Sequence, residues 1–260
     1  MTPEDVIRLK RAMDLLENPG LAAKLTHIIG VPFEKAFDCL PAQWIGAIQT
    51  ITRKSLHHAL EVAVKTIDPR EKKTSNDALH KLLAAASGGI GGAFGLPALA
   101  IELPVTTVVM FRSIADIARS EGEDLRLIEA RLACLEVFAL GGSTEKDNAA
   151  ENGYYAVRAM LARQVSEAAK YLVERGAAKE GSPALIRFIA TIASRFEVTV
   201  SQKTAASAVP VIGAAGGALI NTVFINHFQN MARGHFIIRS LERKYGAQYV
   251  KISYERTEKQ

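Results

Sequence analysis

Seven ionisable residues, Glu102, Arg112, Asp116, Glu121, Arg195, His227 and His235, border or interrupt the two longest uncharged stretches of the chain. Carboxylates, guanidinium groups and imidazoles brought together across apolar helices suit three kinds of chemistry: proton transfer, metal binding, or capture of an anionic head group. Glu102 is the sharpest of them, because a charge facing lipid there would cost about 2.5–3.5 kcal/mol on insertion scales. It must be paired, protonated or turned to a polar interior. Arg112 and Asp116 stand four residues apart and can pair on one helical face, with Arg119, Glu121 and Asp124 just beyond. Asn221 and His235 fall within roughly 40° of one helical face, whereas His227 points about 120° away from Asn221. The site so defined has Glu102, Arg112 and Arg195 facing His235 or His227. The competing reading is a buried network that satisfies itself, since structural ion-pair networks use the same residue types. His57 and His58, near Glu61, fit a solvated helix face.

Known catalytic signatures are missing from the chain: it has no G-x-S-x-G, no H-E-x-x-H, no C-x-x-C and no phosphate loop. The cluster GGIGGAFG fails the dinucleotide fingerprint, because after Gly89 and Gly91 the third required position is Phe94, and the residues before it read as helix. Cys39 and Cys134 are isolated and in no metal-ligand spacing, so both are expected as reduced packing residues. No metal and no cofactor is expected, and no residue can be given a catalytic role on motif grounds.

The elements that would position these groups are the uncharged stretches themselves. Leu82 to Ile101 holds twenty residues without a charge and Thr204 to Asn226 holds 23, about the number a helix needs to cross roughly 30 Å of hydrocarbon. Both are rich in small residues at four-residue spacing, Gly88 with Gly92, Gly91 with Gly95, Gly213 with Gly217, and Gly216 lies among them. Small residues on one face let two helices approach until their backbones nearly touch. The expected architecture is therefore all-α, a multi-helix bundle whose two glycine-rich stretches pack together. Pro97 and Pro104 interrupt helical hydrogen bonding in the first stretch.

Around this pair the pattern is helical throughout. Thr2 caps a helix opening at Pro3, with Val6, Leu9, Met13 and Leu16 as its apolar stripe, stopped by Asn18-Pro19-Gly20. Short segments follow over Leu21 to Ile29 and Phe33 to Leu40, then a long helix opening at Pro41 and ending at Asp68-Pro69. Asp124 is placed to cap the helix through Leu135 that Gly141-Gly142 ends, and Asn152-Gly153 precedes another, closed by Gly176. Ser182-Pro183 is a cap and first-turn pair, and Phe196 to Val200, strand-like in composition but alone, is expected to be drawn into helix or irregular structure. A long helix runs through His227 and His235 to Gly246, and Gln248 to Tyr254 alternates like a short extended piece.

The chain is 48% hydrophobic and 23% charged, which excludes both a disordered chain and an ordinary polytopic membrane protein. Its 260 residues are read as one helical domain ending in a basic tail, 247–260. From Ala232 to Gln260 seven Lys or Arg face three Glu, a surplus that suits anionic lipid or a solvated tail. The first residues mix charges without an apolar core, so no secretion signal is expected, and the reduced cysteines fit a cytoplasmic setting. Nucleic-acid binding is not expected, since the positive charge is modest and lacks interleaved aromatics.

Several ordered blocks resemble the EcsC family, named for the third product of a bacterial transporter operon. They are LENPG at Leu16 to Gly20, SGGIGGAFGLP and ELPVTTVVMFRSIADIARSEGED through the central stretch, EVFALGG from Glu136, and GYYAVR from Gly153. IASRF from Ile192, VPVIGAAGGALINTVFINHF and MARGHFIIRSLERKYG complete the set. The resemblance implies a largely helical protein associated with a transporter locus and supplies no catalytic residues. The leading expectation is a membrane-associated helical accessory protein, at the inner face of the cell membrane, touching a lipid surface, with a transporter as a candidate protein partner. The alternative is a soluble or peripheral hydrolase acting on a lipid or other amphipathic substrate.

Overall fold

The computed structural model describes residues 1–17, 20–30, 32–38, 40, 44–65, 96–142, 153–175, 182–209 and 213–258. Among them are ten helices and no strand: α1 (Pro3–Glu17), α2 (Leu21–Ile29), α3 (Phe33–Asp38), α4 (Trp44–Lys65), α5 (Leu96–Ser120), α6 (Ile128–Leu140), α7 (Gly153–Arg175), α8 (Pro183–Ala208), α9 (Gly213–Tyr245) and α10 (Ala247–Glu258). The all-α bundle expected from periodicity is what forms.

Helix ends follow the residues that mark them. Thr2 accepts a bond from the Asp5 amide through its hydroxyl and donates one to the Asp5 carboxylate, closing the start of α1. Ser182 accepts from the Ala184 amide, with Pro183 in the first turn of α8. Gly30 ends α2 in the left-handed region, φ 69°, and Gly246 turns α9 into α10 at φ 89°. Asp124 does not cap α6: Leu127 precedes the helix, and the Asp124 carboxylate grips Arg126 in the turn before it. Phe196 to Val200 lies inside α8, the helical one of its two expected outcomes.

Three features depart from the sequence expectation. Pro104 sits inside α5 without ending it. The lost bond concerns one carbonyl, and burial of Leu103, Met110 and Phe111 against α4 and α9 outweighs it. The second uncharged run is not one element: Thr204 to Ala208 finish α8, and α9 starts anew at Gly213. The 14 uncharged residues that α9 retains, Gly213 to Asn226, span only about 21 Å. The tail after Gly246 is a helix, not an extended piece, because Val250 and Tyr254, four apart, both bury against Leu9, Met13 and Leu241.

The main core is shared by α2 and α4 to α9, and Phe138, Phe196, Phe224 and Phe228 form its aromatic centre where α6, α8 and α9 meet. A second cluster fastens α1 and α10 to the last turns of α9. α9 packs against α5, with Gly217 buried and Gly216 half-buried. Their expected counterparts Gly88, Gly91, Gly92 and Gly95 lie outside the described residues, as does Gly176. A glycine-mediated approach does occur elsewhere on α9. A Cβ on Gly234 would stand 2.6 Å from Leu16 Cγ and 2.9 Å from the Ala12 carbonyl of α1.

Candidate functional site

The seven candidates separate into three places. Glu102, on the second turn of α5, takes an ion pair from Lys203 of α8, and both side chains are almost wholly enclosed. Lys203 Nζ also lies 5.1 Å from the centre of the Phe224 ring. The lone carboxylate in an apolar run is thus paired, one of the three outcomes its burial allowed. Among the described residues, α5, α8 and α9 meet here in one buried ion pair.

Arg195 and His227 both serve the end of α6. Arg195 Nε donates to the Ala139 carbonyl at 2.9 Å and His227 Nε2 lies 2.8 Å from the Gly141 carbonyl. The last carbonyls of a helix have no partner within it and carry its negative dipole end, so side-chain N–H groups are stabilising there. A carbonyl can only accept, so the proton sits on His227 Nε2. Burial lowers the His227 pKa to about 4 and keeps the ring neutral at pH 7. Gly141 and Gly142 are required here for space: a Cβ on Gly141 would enter the Phe228 ring and one on Gly142 the Arg195 backbone. Arg131 serves α4 similarly, reaching the Val64 carbonyl at 3.3 Å.

The third place is the far end of the bundle. Glu121 accepts from Arg8 at 2.8 Å and Asp116 from Arg119 at 2.8 Å, while Arg112 lies apart from this end, exposed on the middle turns of α5. Arg112 and Asp116 therefore do not pair with each other. His235, fully buried, places Nδ1 3.0 Å from the Tyr154 hydroxyl, and its Nε2 has no partner among the described residues. Glu102, Arg112 and Arg195 do not face either histidine as one constellation.

Around His235 stands a network that the motif search did not single out. Arg158 grips Glu242 through two bonds, 2.7 and 2.9 Å, and stacks near Tyr154 and Tyr155. Arg239 grips Glu123 at 2.8 and 3.1 Å, Arg243 joins the same carboxylate, and the arginines hold Glu123 below its ordinary pKa against the opposing effect of burial. Glu136 on α6 lies in the field of Arg158 and Arg239, with 6% of its surface exposed, and burial pushes its carboxyl up to about 7. Burial lowers His235 well below its usual range and raises Tyr154. Glu136 also acts through its field on Tyr154, the partner of His235. Both arginines already hold carboxylates, so neither is open to an anion. No group of three His, Cys, Asp or Glu suited to a metal occurs among the described residues.

Signals for the missed residues were present. Glu136 is the only charge between Leu132 and Gly142, the same oddity that drew attention to Glu102. Lys203 stands immediately before the second uncharged run. Tyr154, Arg158, Arg239 and Glu242 lie in the blocks GYYAVR and MARGHFIIRSLERKYG.

Among the described residues no helix is long and apolar enough to cross a membrane. No curated protein sequence matches the chain. No solved structure matches it. The model of the EcsC protein family matches residues 9–241, a span that takes in Glu102, Lys203, Glu136, both buried histidines and the arginines around them. The chain belongs to the EcsC protein family.

Proposed function

We propose that this chain is a helical accessory protein that docks on a membrane surface without crossing it, in the transporter setting its family name carries. The observation that supports this most directly is the exposure of large apolar side chains where α4, α5 and α9 begin: Ile101 75%, Ile45 62%, Leu219 56% and Val105 52%. These helices start at one end of the bundle. Gln229 of α9 donates to Ser113 of α5 and Arg239 to Glu123 just past α5, so these two helices run parallel, and Arg131 ties the end of α4 to Leu125 just past α5. Isolated exposed apolar residues need no explanation, but a set gathered at one end marks an interaction surface.

Flotation with liposomes followed by alkaline extraction tests the reading. The protein should float and be released at high pH, and Ile101→Glu with Val105→Glu should leave it at the bottom of the gradient. A wild-type protein that never floats contradicts the proposal. A second reading, a hydrolase acting on an amphipathic substrate, draws on Glu136, held near neutrality and acting through its field on Tyr154, the partner of His235. Turnover of a lipid ester that disappears in a folded Glu136→Gln variant would favour it over the first.

A further inference from the structure

The docking end carries charge as well as apolar surface, and its arrangement speaks to the kind of lipid it meets. Arg53 and Lys54 are exposed on α4 and Arg112 on α5. Arg53 lies eight residues beyond Ile45 and Arg112 seven beyond Val105, rises of about 12 and 10 Å along their helices. Helical side chains lean toward the helix N-terminus, so these three long cations tilt back toward the apolar end they follow. Their aliphatic stems can lie along apolar surface while the charge stays in a polar layer.

Among the described residues, the carboxylates near this belt are mostly committed. Glu102 is held by Lys203, Asp116 by Arg119, and Glu61 lies 3.8 Å from His58. Glu197 of α8 lies in the field of Arg53 and accepts from Gln49. Lys54 and Arg112 have no ion-pair partner among the described residues. The end therefore presents an apolar tip followed by a positive collar. An interfacial protein sinks its apolar face about 5–10 Å into the head-group and acyl boundary, a depth that brings a collar at this spacing to the phosphates.

We infer that the surface this end fits is an anionic bilayer, whose head-group phosphates meet Arg53, Lys54 and Arg112 while Ile45, Ile101, Val105 and Leu219 enter the acyl boundary. The inference rests on the docking proposed above and adds the lipid class. Four of the seven cations of the chain's last 29 residues are held by carboxylates instead: Arg239 and Arg243 by Glu123, Lys244 by Asp5 and Lys251 near Glu255.

The test is binding to vesicles of phosphatidylcholine alone and of phosphatidylcholine with about one third phosphatidylglycerol, for the wild type, Arg53→Gln/Lys54→Gln/Arg112→Gln and Ile101→Glu/Val105→Glu. Each basic residue near an anionic surface contributes about fivefold, so the triple variant should lose roughly a hundredfold on the mixed vesicles and nothing on the neutral ones. Added salt should mimic it. Circular dichroism confirms that the variants, all at exposed positions, stay folded. Equal wild-type binding to both vesicles, or an unaffected triple variant, overturns the lipid class and leaves the docking standing. Wild-type binding to neither vesicle overturns both.

Discussion

The two ends of the bundle hold their charges differently. Where α4, α5 and α9 begin, one enclosed pair, Glu102 with Lys203, sits beneath exposed Ile45, Ile101, Val105 and Leu219. Where α9 ends, carboxylates are shared among several cations: Asp5 with Lys244, Arg8 and the Tyr245 hydroxyl, Glu123 with Arg239 and Arg243, Glu242 with Arg158. These bonds knit α1, the turn after α5, α7 and α9 together. Charge density at the second end is a fastening; Ile7 and Tyr249 are exposed there too, but at the sparsely charged end Ile45, Ile101, Val105 and Leu219 stand exposed with few charges among them. A surplus of basic residues in a sequence is thus a poor guide to where a membrane would be met.

The contrast yields graded expectations. Lys203→Met should have the largest effect, because it strands Glu102 in an apolar site; losing one partner of a buried pair costs about 3–5 kcal/mol. Urea unfolding should show that loss, and Glu102→Met added to it should recover most of the stability. A double variant no more stable than the single one would mean that the pair is not isolated as described. Glu123→Gln, by contrast, leaves two partly exposed arginines that solvent can reach, and should cost less.

Next comes Glu136, which acts through pH. Its folded pKa of about 7 exceeds the ordinary 4.5, so the native state holds a proton that the unfolded chain releases. Stability contributed by that proton is complete below about 4.5 and is lost as pH rises toward 7, a change on the order of 3 kcal/mol. Glu136→Gln should therefore gain on the wild type across this window and differ from it little below. His227 works in the opposite sense: its folded pKa of about 4 lies under the ordinary 6.5, so stability falls as pH drops through that range. Melting temperatures from pH 4 to 8 separate the two.

Gly234→Ala should cost about 1–3 kcal/mol by overpacking the contact of α1 on α9, since its Cβ would meet the Ala12 carbonyl as well as a movable Leu16. The smallest effect is at the start of α8, where Ser182→Ala removes a single capping bond, worth about 1 kcal/mol. Thermal unfolding ranks both against Lys203→Met.

The helices were largely legible because their signals are local. Thr2-Pro3, Ser182-Pro183, Gly30 and Gly246 fix ends through one or two dihedrals or bonds, and stripes such as Leu9 with Met13 repeat at helical spacing. The tail misled because Gln248 to Tyr254 alternates in polarity, while the pair that decides its fate, Val250 and Tyr254, matters only once α1 and α9 supply a surface. Site residues were less legible for the same reason. Glu102 announced a need for a partner, but nothing local points to Lys203, about a hundred residues away. Arg195 and His227 looked like chemistry from their types. Only the fold reveals that both close the end of α6.

The account's central claim is that the sparsely charged end meets the bilayer and the densely charged end faces away. An environment-sensitive fluorophore on Ile101→Cys, compared with the same label on Tyr249→Cys in α10, both in a Cys39→Ser background, tests it directly. On vesicles containing phosphatidylglycerol the label at position 101 should shift to the blue and become shielded from an aqueous quencher, while that at 249 stays unchanged. A shift at 249 with none at 101 would contradict the account.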